Sequence, residues 1–318
     1  MSQDGVNCPP VSATADTDSE LINLEVQERL QRQYWPTHCL YVVATPIGNL
    51  ADISQRALYT LRMVDVIACE DTRSTQVLLN TYSVQKPLVA AHQHNESSAA
   101  ERIIELLAAG KRVALVSDAG APAVSDPGAK LVTKVHEAGF NVCPIPGPSA
   151  VITALMASGF TTDEQPSFAF AGFVPTKKNA RQEWLQYWLK QPMTIVMYEA
   201  PHRLKDCLKA LMELSATEPD RQITVGRELT KRFEEIRRMP IAELSDWLAS
   251  DRQREKGEFV LVVEPSNQRQ VNHDYMPLLK ELLAHGLSVR DSAKILQKTM
   301  GVSRDEAYQA ALGLKEDC

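Results

Sequence analysis

The sequence predicts an α/β protein: a mainly parallel sheet first, a second α/β domain after it, and a small helical tail. Three observations predict this. From Leu40 to Ser158 short apolar runs alternate with helical spacing, the pattern of strands joined by crossover helices. One run, Val113–Val116, opens into a loop holding Asp118, Gly120, Pro122, Ser125, Asp126, Pro127 and Gly128, and helical spacing resumes at Ala129. Most such turns need only about two to six residues, and strand carboxyl ends are where open α/β sheets hold ligands, so this reads as a binding loop. Finally, three helix-length segments follow a Ser/Asn/Gln linker at 266–270.

Each element has its own warrant. Residues 1–38 read as an extension, with a Ser/Thr/Asp/Pro-rich start expected to be disordered and a short amphipathic helix over Leu21–Tyr34. The first domain, 39–158, holds strands at Leu40–Ala44, Val64–Cys69, Leu88–Ala91, Val113–Val116 and Val142–Ile145. Between them lie helices at Ser54–Met63, Ser74–Leu79, Ser97–Ala109 and Ala129–Ala138, the last two stopped by Gly110 and Gly139. Pro146-Gly147-Pro148-Ser149 then turns into a helix running to Ser158. The second domain, 159–265, holds strands at Phe168–Phe173, Thr194–Tyr198, Gln222–Arg227 and Phe259–Val263, some of them antiparallel. Its helices read as Ala180–Leu189, Leu204–Leu214 and Ile241–Leu248. Residues 271–318 read as a helical domain over Met276–Leu283, Val289–Thr299 and Arg304–Leu312, helix-turn-helix-like in length. Docking or dimerisation suits that domain as well as RNA contact, since it holds six bases and seven acids.

Composition narrows the class. At 318 residues two domains and an appendage are the natural expectation. Six scattered cysteines without a C-x-x-C pair argue against a disulfide framework or a zinc site and suit a reducing cytosol. The start carries no apolar leader, and no run of about 18 apolar residues predicts a membrane span. The net charge of −6 argues mildly against a general polyanion binder. The charge is uneven, however: Arg221–Arg238 holds six bases and three acids, and local basic patches matter more than the sum for RNA binding.

Motif chemistry excludes some classes and suggests others. The first strand runs into Ala44-Thr45-Pro46-Ile47-Gly48-Asn49, which is not G-x-G-x-x-G, and no Walker A, H-E-x-x-H or G-x-S-x-G pattern occurs. Ser149 stands where a helix would be capped, a place where exposed N–H groups attract a carboxylate or phosphate, though a plain cap explains it equally. Charged clusters follow three apolar runs: Glu70–Arg73, Tyr198–Arg203 and Arg227–Lys231. Each could orient substrate or move a proton, and each alone could be a structural ion pair.

Together these segments resemble the tetrapyrrole-methylase superfamily and, within it, the bacterial 16S rRNA (cytidine-2′-O)-methyltransferases. The resemblance is carried by Thr45–Leu50 with Asp52, Glu70–Arg73, Ser117–Gly128, Pro146–Ala150, Phe170–Pro175, Tyr198–Arg203, Arg227–Lys231 and Lys256–Glu258. It implies a two-domain fold with S-adenosylmethionine in a cleft between the domains, usually as a homodimer. It implies a cytoplasmic enzyme without metal or membrane. Its partner would be 16S rRNA in the small ribosomal subunit or its precursor, methylated on the ribose 2′-oxygen of a decoding-centre cytidine.

Carried over by motif, Pro46, Ile47, Asp118, Ala121, Ser149, Ala150, Met197 and Tyr198 would bind the cofactor. Lys231, Glu228 and Glu199 are the candidates for proton removal, the lysine only with a lowered pKa. Asn49 would orient the ribose, and Arg73, Lys177, Arg203 and Arg227 would meet phosphates. Asp126 is expected to brace the turn before the next helix. Two alternatives stand beside this reading: a small-molecule methyltransferase of the tetrapyrrole type, and a non-catalytic RNA-binding protein.

Overall fold

A computed structural model describes residues 16–92, 96–125, 128–218, 220–266, 275–300 and 302–316. The chain divides into two units, Met1–Ile152 and Thr153–Cys318.

The first unit is built on five parallel strands: β1 (Cys39–Val43), β2 (Val66–Cys69), β3 (Leu88–Ala90), β4 (Arg112–Val116) and β5 (Asn141–Ile145). Their order in the sheet is β3-β2-β4-β1-β5. β1 shows why these apolar runs become strands. Its residues alternate between two cores: Cys39, Tyr41 and Val43 enter one, and Leu40 enters the other. A strand buried on both faces reads as an unbroken apolar run.

Helices α2 (Gln55–Met63) and α3 (Thr72–Thr81) supply Ala57, Leu61 and Leu79 to the first core. Helices α4 (Glu96–Ala108) and α5 (Ala129–Glu137) supply Ala99, Ala100, Ile103, Leu107, Leu131 and Val135 to the other. This split follows from right-handed crossovers. The chain moves one way along the sheet from β1 to β3 and back from β3 to β5, and each direction places its helices on its own face. Ser54 and Asp71 cap α2 and α3 through their side chains.

The described part of the extension begins in helix α1 (Asp16–Arg32), longer than the sequence-based expectation; residues 1–15 lie outside the described residues. Beyond α1 the chain is fastened to the unit. The Trp35 indole N–H donates to the Leu30 carbonyl at 2.7 Å, and the Arg112 guanidinium donates to the Trp35 carbonyl at 3.0 Å. The Tyr41 hydroxyl donates to the Pro36 carbonyl at 2.8 Å, and a His38 ring nitrogen lies 2.7 Å from the Leu107 carbonyl.

Helix α6 (Ala150–Ser158) precedes the second sheet. That sheet contains β6 (Phe168–Phe173), β7 (Thr194–Glu199), β8 (Gln222–Arg227), β9 (Glu235–Pro240) and β10 (Phe259–Val263), in the order β6-β7-β10-β8-β9. Only the β6–β7 pair is parallel. Helices α7 (Lys178–Leu189), α8 (Pro201–Leu214) and α9 (Leu244–Ala249) share its core with Ile195, Met197, Ile223, Val225, Met239, Phe259, Leu261 and Val263. The single helix expected over Ile241–Leu248 begins instead as a 3-10 turn, Ile241–Glu243.

β9 was not foreseen. Glu-Ile-Arg-Arg-Met-Pro sends one side chain, Met239, into the core, and it is held by its register with β8 at the sheet edge, where arginine and proline are tolerated. The tail forms α10 (Tyr275–Ala284), α11 (Val289–Met300) and α12 (Arg304–Glu316) around a core of its own that includes Leu279, Ala293, Leu296 and Ala307. Among the described residues no helix is long and apolar enough to cross a membrane, and no cluster of three His, Cys, Asp or Glu is placed for a metal.

Arg221 corrects the reading of Arg221–Arg238 as one basic patch. It is buried, and its guanidinium donates to the carbonyls of Glu264 and Leu189 and to the Glu218 carboxylate. Arg221→Met is therefore expected to destabilise the fold by about 3 kcal/mol in urea denaturation, because it strands those acceptors.

Candidate functional site

Parallel strands place every carboxyl end of the first sheet on one edge, and four loops meet there. β1 and β4 are neighbours whose outgoing chains pass to opposite faces of the sheet, the setting in which such sheets carry ligands. Their loops are joined by a two-residue antiparallel bridge: the Thr45 N–H donates to the Gly120 carbonyl at 2.9 Å, and the Gly120 N–H returns to the Thr45 carbonyl at 3.1 Å. The Thr45 hydroxyl adds a bond to the Ser117 carbonyl at 3.2 Å.

Close backbone packing fixes the rest. A Cβ on Gly120, whose φ is +81°, would come within 3.3 Å of Ile47 Cγ2, and one on Gly147 would come within 3.0 Å of the Ala44 Cβ. Ala123 and Ser125 also hold positive φ, of 66° and 61°. Such strain concentrates at functional loops. Glu96 braces the loop's end: it is 8% exposed, and its carboxylate accepts the Gly128 N–H at 3.0 Å. Asp126, expected in that bracing role, lies outside the described residues.

On this edge Pro46 is buried, Ile47, Ala121, Ser149 and Ala150 are half-buried, and Asp118 is exposed. Asp118 accepts the Asp71 N–H at 3.3 Å. Partial desolvation, with the nearby Asp71 carboxylate, raises its pKa above the usual carboxylate range. Among the described residues neither carboxylate has a cationic partner. In the sequence Asp71 stands out only as part of the charged cluster Glu70–Arg73. The Asn49 side chain accepts the Ala51 N–H at 3.0 Å, and Arg73 is exposed at the start of α3.

In the second unit the residues expected to act on substrate separate into two kinds. Lys231 and Glu228 belong to a clasp on the loop joining β8 and β9. Lys231 Nζ lies 2.9 Å from Glu228 Oε1 and 2.8 Å from Glu258 Oε2, and the Glu258 N–H donates to Glu228 at 2.9 Å. Burial works against both charges, but the mutual bonds outweigh it: Lys231 is held above the ordinary lysine pKa and Glu228 below the ordinary carboxylate range. This corrects the expectation of a lysine with a lowered pKa. Glu258 is the partner that the sequence left unassigned.

The other kind is structural. Glu199 has a fully buried side chain; it accepts the Ala200 N–H and pairs with Arg203, both at 2.7 Å. Burial raises its pKa. Sealed in this way, Glu199 cannot meet a substrate hydroxyl. Arg203 is itself largely buried and donates to the Val174 carbonyl at 3.1 Å. Arg227 is 9% exposed and donates to the carbonyls of Lys256, Gln253 and Phe233. Both arginines are occupied inside the protein, which corrects their assignment to phosphates.

Met197 is also corrected: its side chain is fully buried in the core of the second sheet. Tyr198 is half-buried, its ring 4.8 Å from that of Phe170 and 5.2 Å from that of Phe173. Lys177 is exposed just before α7.

A family model of the tetrapyrrole (corrin/porphyrin) methylases matches residues 39–245. The chain belongs to this family. A relative named ribosomal RNA small subunit methyltransferase I, from Haemophilus influenzae, is 43% identical, covering 87% of this chain and 97% of its own. Its namesake from Bacillus subtilis is 44% identical, covering 85% of this chain and 93% of its own. Among solved structures, a cobalt precorrin-4 methyltransferase of cobalamin biosynthesis matches with a TM-score of 0.52 at 18% identity, covering 71% of this chain and 95% of that one. A diphthine synthase matches with a TM-score of 0.52 at 16% identity, covering 71% and 90%. At these identities the solved structures speak for the fold alone: this methylase has the α/β architecture of its family, with a helical region at its carboxyl end.

The clasp predicts a pH signature. The contribution of Glu228, with its depressed pKa, is present above the ordinary carboxylate range and lost as pH falls through the folded value. That of Lys231, with its raised pKa, is present below the ordinary lysine value and lost only as pH rises through the folded one. Lys231→Met should therefore cost about 1 kcal/mol, constant from about pH 6 to pH 9 and fading below about pH 4. Urea melts across this range check it, and a loss that persists in acid would contradict the ionic origin.

Proposed function

We propose that this chain is an S-adenosylmethionine-dependent methyltransferase that methylates the ribose 2′-hydroxyl of a cytidine in the decoding centre of 16S rRNA. Its substrate would be the small ribosomal subunit or its precursor, and it would act in the cytoplasm as a homodimer without a metal. The observation that carries the reading is the Asp118–Asp71 carboxylate pair at the carboxyl edge of the first sheet, in a methylase whose relatives are named for small-subunit rRNA.

The residues present fit the cofactor. S-adenosylmethionine carries positive charge on its sulfonium and amino groups, and the two carboxylates offer negative charge that no cationic side chain among the described residues pairs. Gly120 and Gly147, where a Cβ would crowd Ile47 and Ala44, let the loops of this edge pack closely beside the carboxylates. Pro46, Ile47, Asp118, Ala121, Ser149 and Ala150 would hold it. When bound, it supplies an electrophilic methyl group.

The chain's own task is to align the 2′-oxygen and remove its proton. An ammonium has three N–H donors, and Lys231 directs two at Glu228 and Glu258. The third is offered to the 2′-oxygen, where it stabilises the charge that grows as the proton leaves. Glu228, held ionised, takes the proton. Its low pKa makes it a weak base, so alignment supplies the larger share of the acceleration. Asn49 orients the ribose, and Arg73 and Lys177, both exposed, meet phosphates.

Two substitutions separate these roles. Asp118→Asn should weaken S-adenosylmethionine binding about tenfold or more in calorimetry; unchanged affinity would remove Asp118 from the site. Lys231→Ala should keep that affinity and lower turnover about a hundredfold; a fully active enzyme would remove Lys231. The whole reading is tested by mass spectrometry of 16S rRNA from cells lacking the gene. One decoding-centre cytidine should lose only its ribose methyl, and intact methylation would refute the assignment.

A further inference from the structure

The loop joining β8 and β9 is held more firmly than its role as a clasp requires, and it displays an aromatic ring to solvent. Two of its residues take positive φ, Glu228 at 50° and Thr230 at 66°. Strain of this kind persists only where surroundings impose it. Here Arg227 donates to three main-chain carbonyls around the loop's base, and the Thr230 N–H donates to the Glu234 carboxylate. Gly257 packs so closely that a Cβ there would lie 2.6 Å from Glu228 Cγ.

What this frame presents is Phe233, 68% exposed, with the Arg232 guanidinium 5.5 Å from its ring centre. Leaving a phenylalanine in water forgoes roughly 1.5–3 kcal/mol of burial. The charges around it are not balanced. Three nearby acids are ion-paired, Glu228 and Glu258 with Lys231 and Glu235 with Arg254 at 2.7 Å, while Glu234 is bound by the Thr230 N–H and keeps its charge against the two arginines that follow. Arg232 and, along β9, Arg237 are exposed without an ion pair among the described residues. An exposed ring on a strained loop, flanked by two guanidiniums without an ion pair, suits a base and its phosphates, since aromatic faces stack unpaired bases and arginine forks match phosphate oxygens.

We infer that Phe233 is a stacking platform for an unpaired base of an RNA strand, with Arg232 and Arg237 taking adjoining phosphates. The inference rests on the proposed action on rRNA and adds to it the element that holds a base. A single-stranded RNA oligonucleotide carrying 2-aminopurine is titrated with the full-length protein and with Phe233→Ala, Phe233→Leu and Phe233→Trp. The wild type and Phe233→Trp should quench the fluorescence. The alanine and leucine variants should not, and their RNA affinity should fall about tenfold with unchanged thermal unfolding and unchanged S-adenosylmethionine affinity.

Equal quenching and affinity in Phe233→Ala would overturn the platform. So would a sedimentation shift from dimer to monomer in that variant, which would make the ring a contact between copies of the chain. Methyl transfer to small ribosomal subunits by the wild type is measured in parallel. Its absence would overturn the proposed function, while the oligonucleotide still decides the platform by itself.

Discussion

The parallelism of the first sheet is the constraint from which the rest of that unit follows. Five strands that all point one way deliver all their outgoing loops to one edge, and right-handed crossovers then fix which helix covers which face. The Thr45–Gly120 bridge turns this shared edge into a fixed one. It ties the loops after two neighbouring strands together through main-chain bonds, independent of side-chain rotamers. Asp118 stands two residues from that bridge, and its hydrogen bond from the Asp71 N–H links the end of β2 to the same edge.

The second unit solves a different problem with arginine. Arg203, Arg221 and Arg227 each aim planar, multidentate guanidinium groups at main-chain carbonyls in loops and strand ends. A carbonyl inside a loop has no ladder partner, and an unmet buried acceptor is costly. Arg203 meets one of them, Arg221 two and Arg227 three, and a guanidinium carries its charge at every physiological pH. Of the three, Arg227 is the one that fixes the base of the loop bearing Lys231 and Phe233.

Much of this could be read from the sequence. The strands of the first sheet stand out because both faces are buried, which leaves unbroken apolar runs such as Val113–Val116. The loop after Val116 stands out because it is longer than a plain strand-to-helix turn and rich in glycine, proline and acid. β9 escaped because an edge strand needs only one apolar contact, Met239, and its remaining pattern resembles a solvated basic patch. The fate of each arginine was illegible for a related reason: sequence reports charge, whereas burial depends on which carbonyls the fold leaves unmet. Glu258 escaped because it meets Lys231 only after the β8–β10 pairing brings distant residues together.

The fastening of Trp35 to His38 has a mechanical consequence. Four hydrogen bonds, to Leu30, from Arg112, from Tyr41 and at Leu107, tie this segment to the chain around it before β1 begins. A force applied at the amino terminus is thereby borne by the sheet's opposite, amino-terminal edge. The bridged loops lie at the sheet's other edge, away from these bonds. In this methylase the fastening keeps the bridged edge apart from forces on the segment that precedes β1.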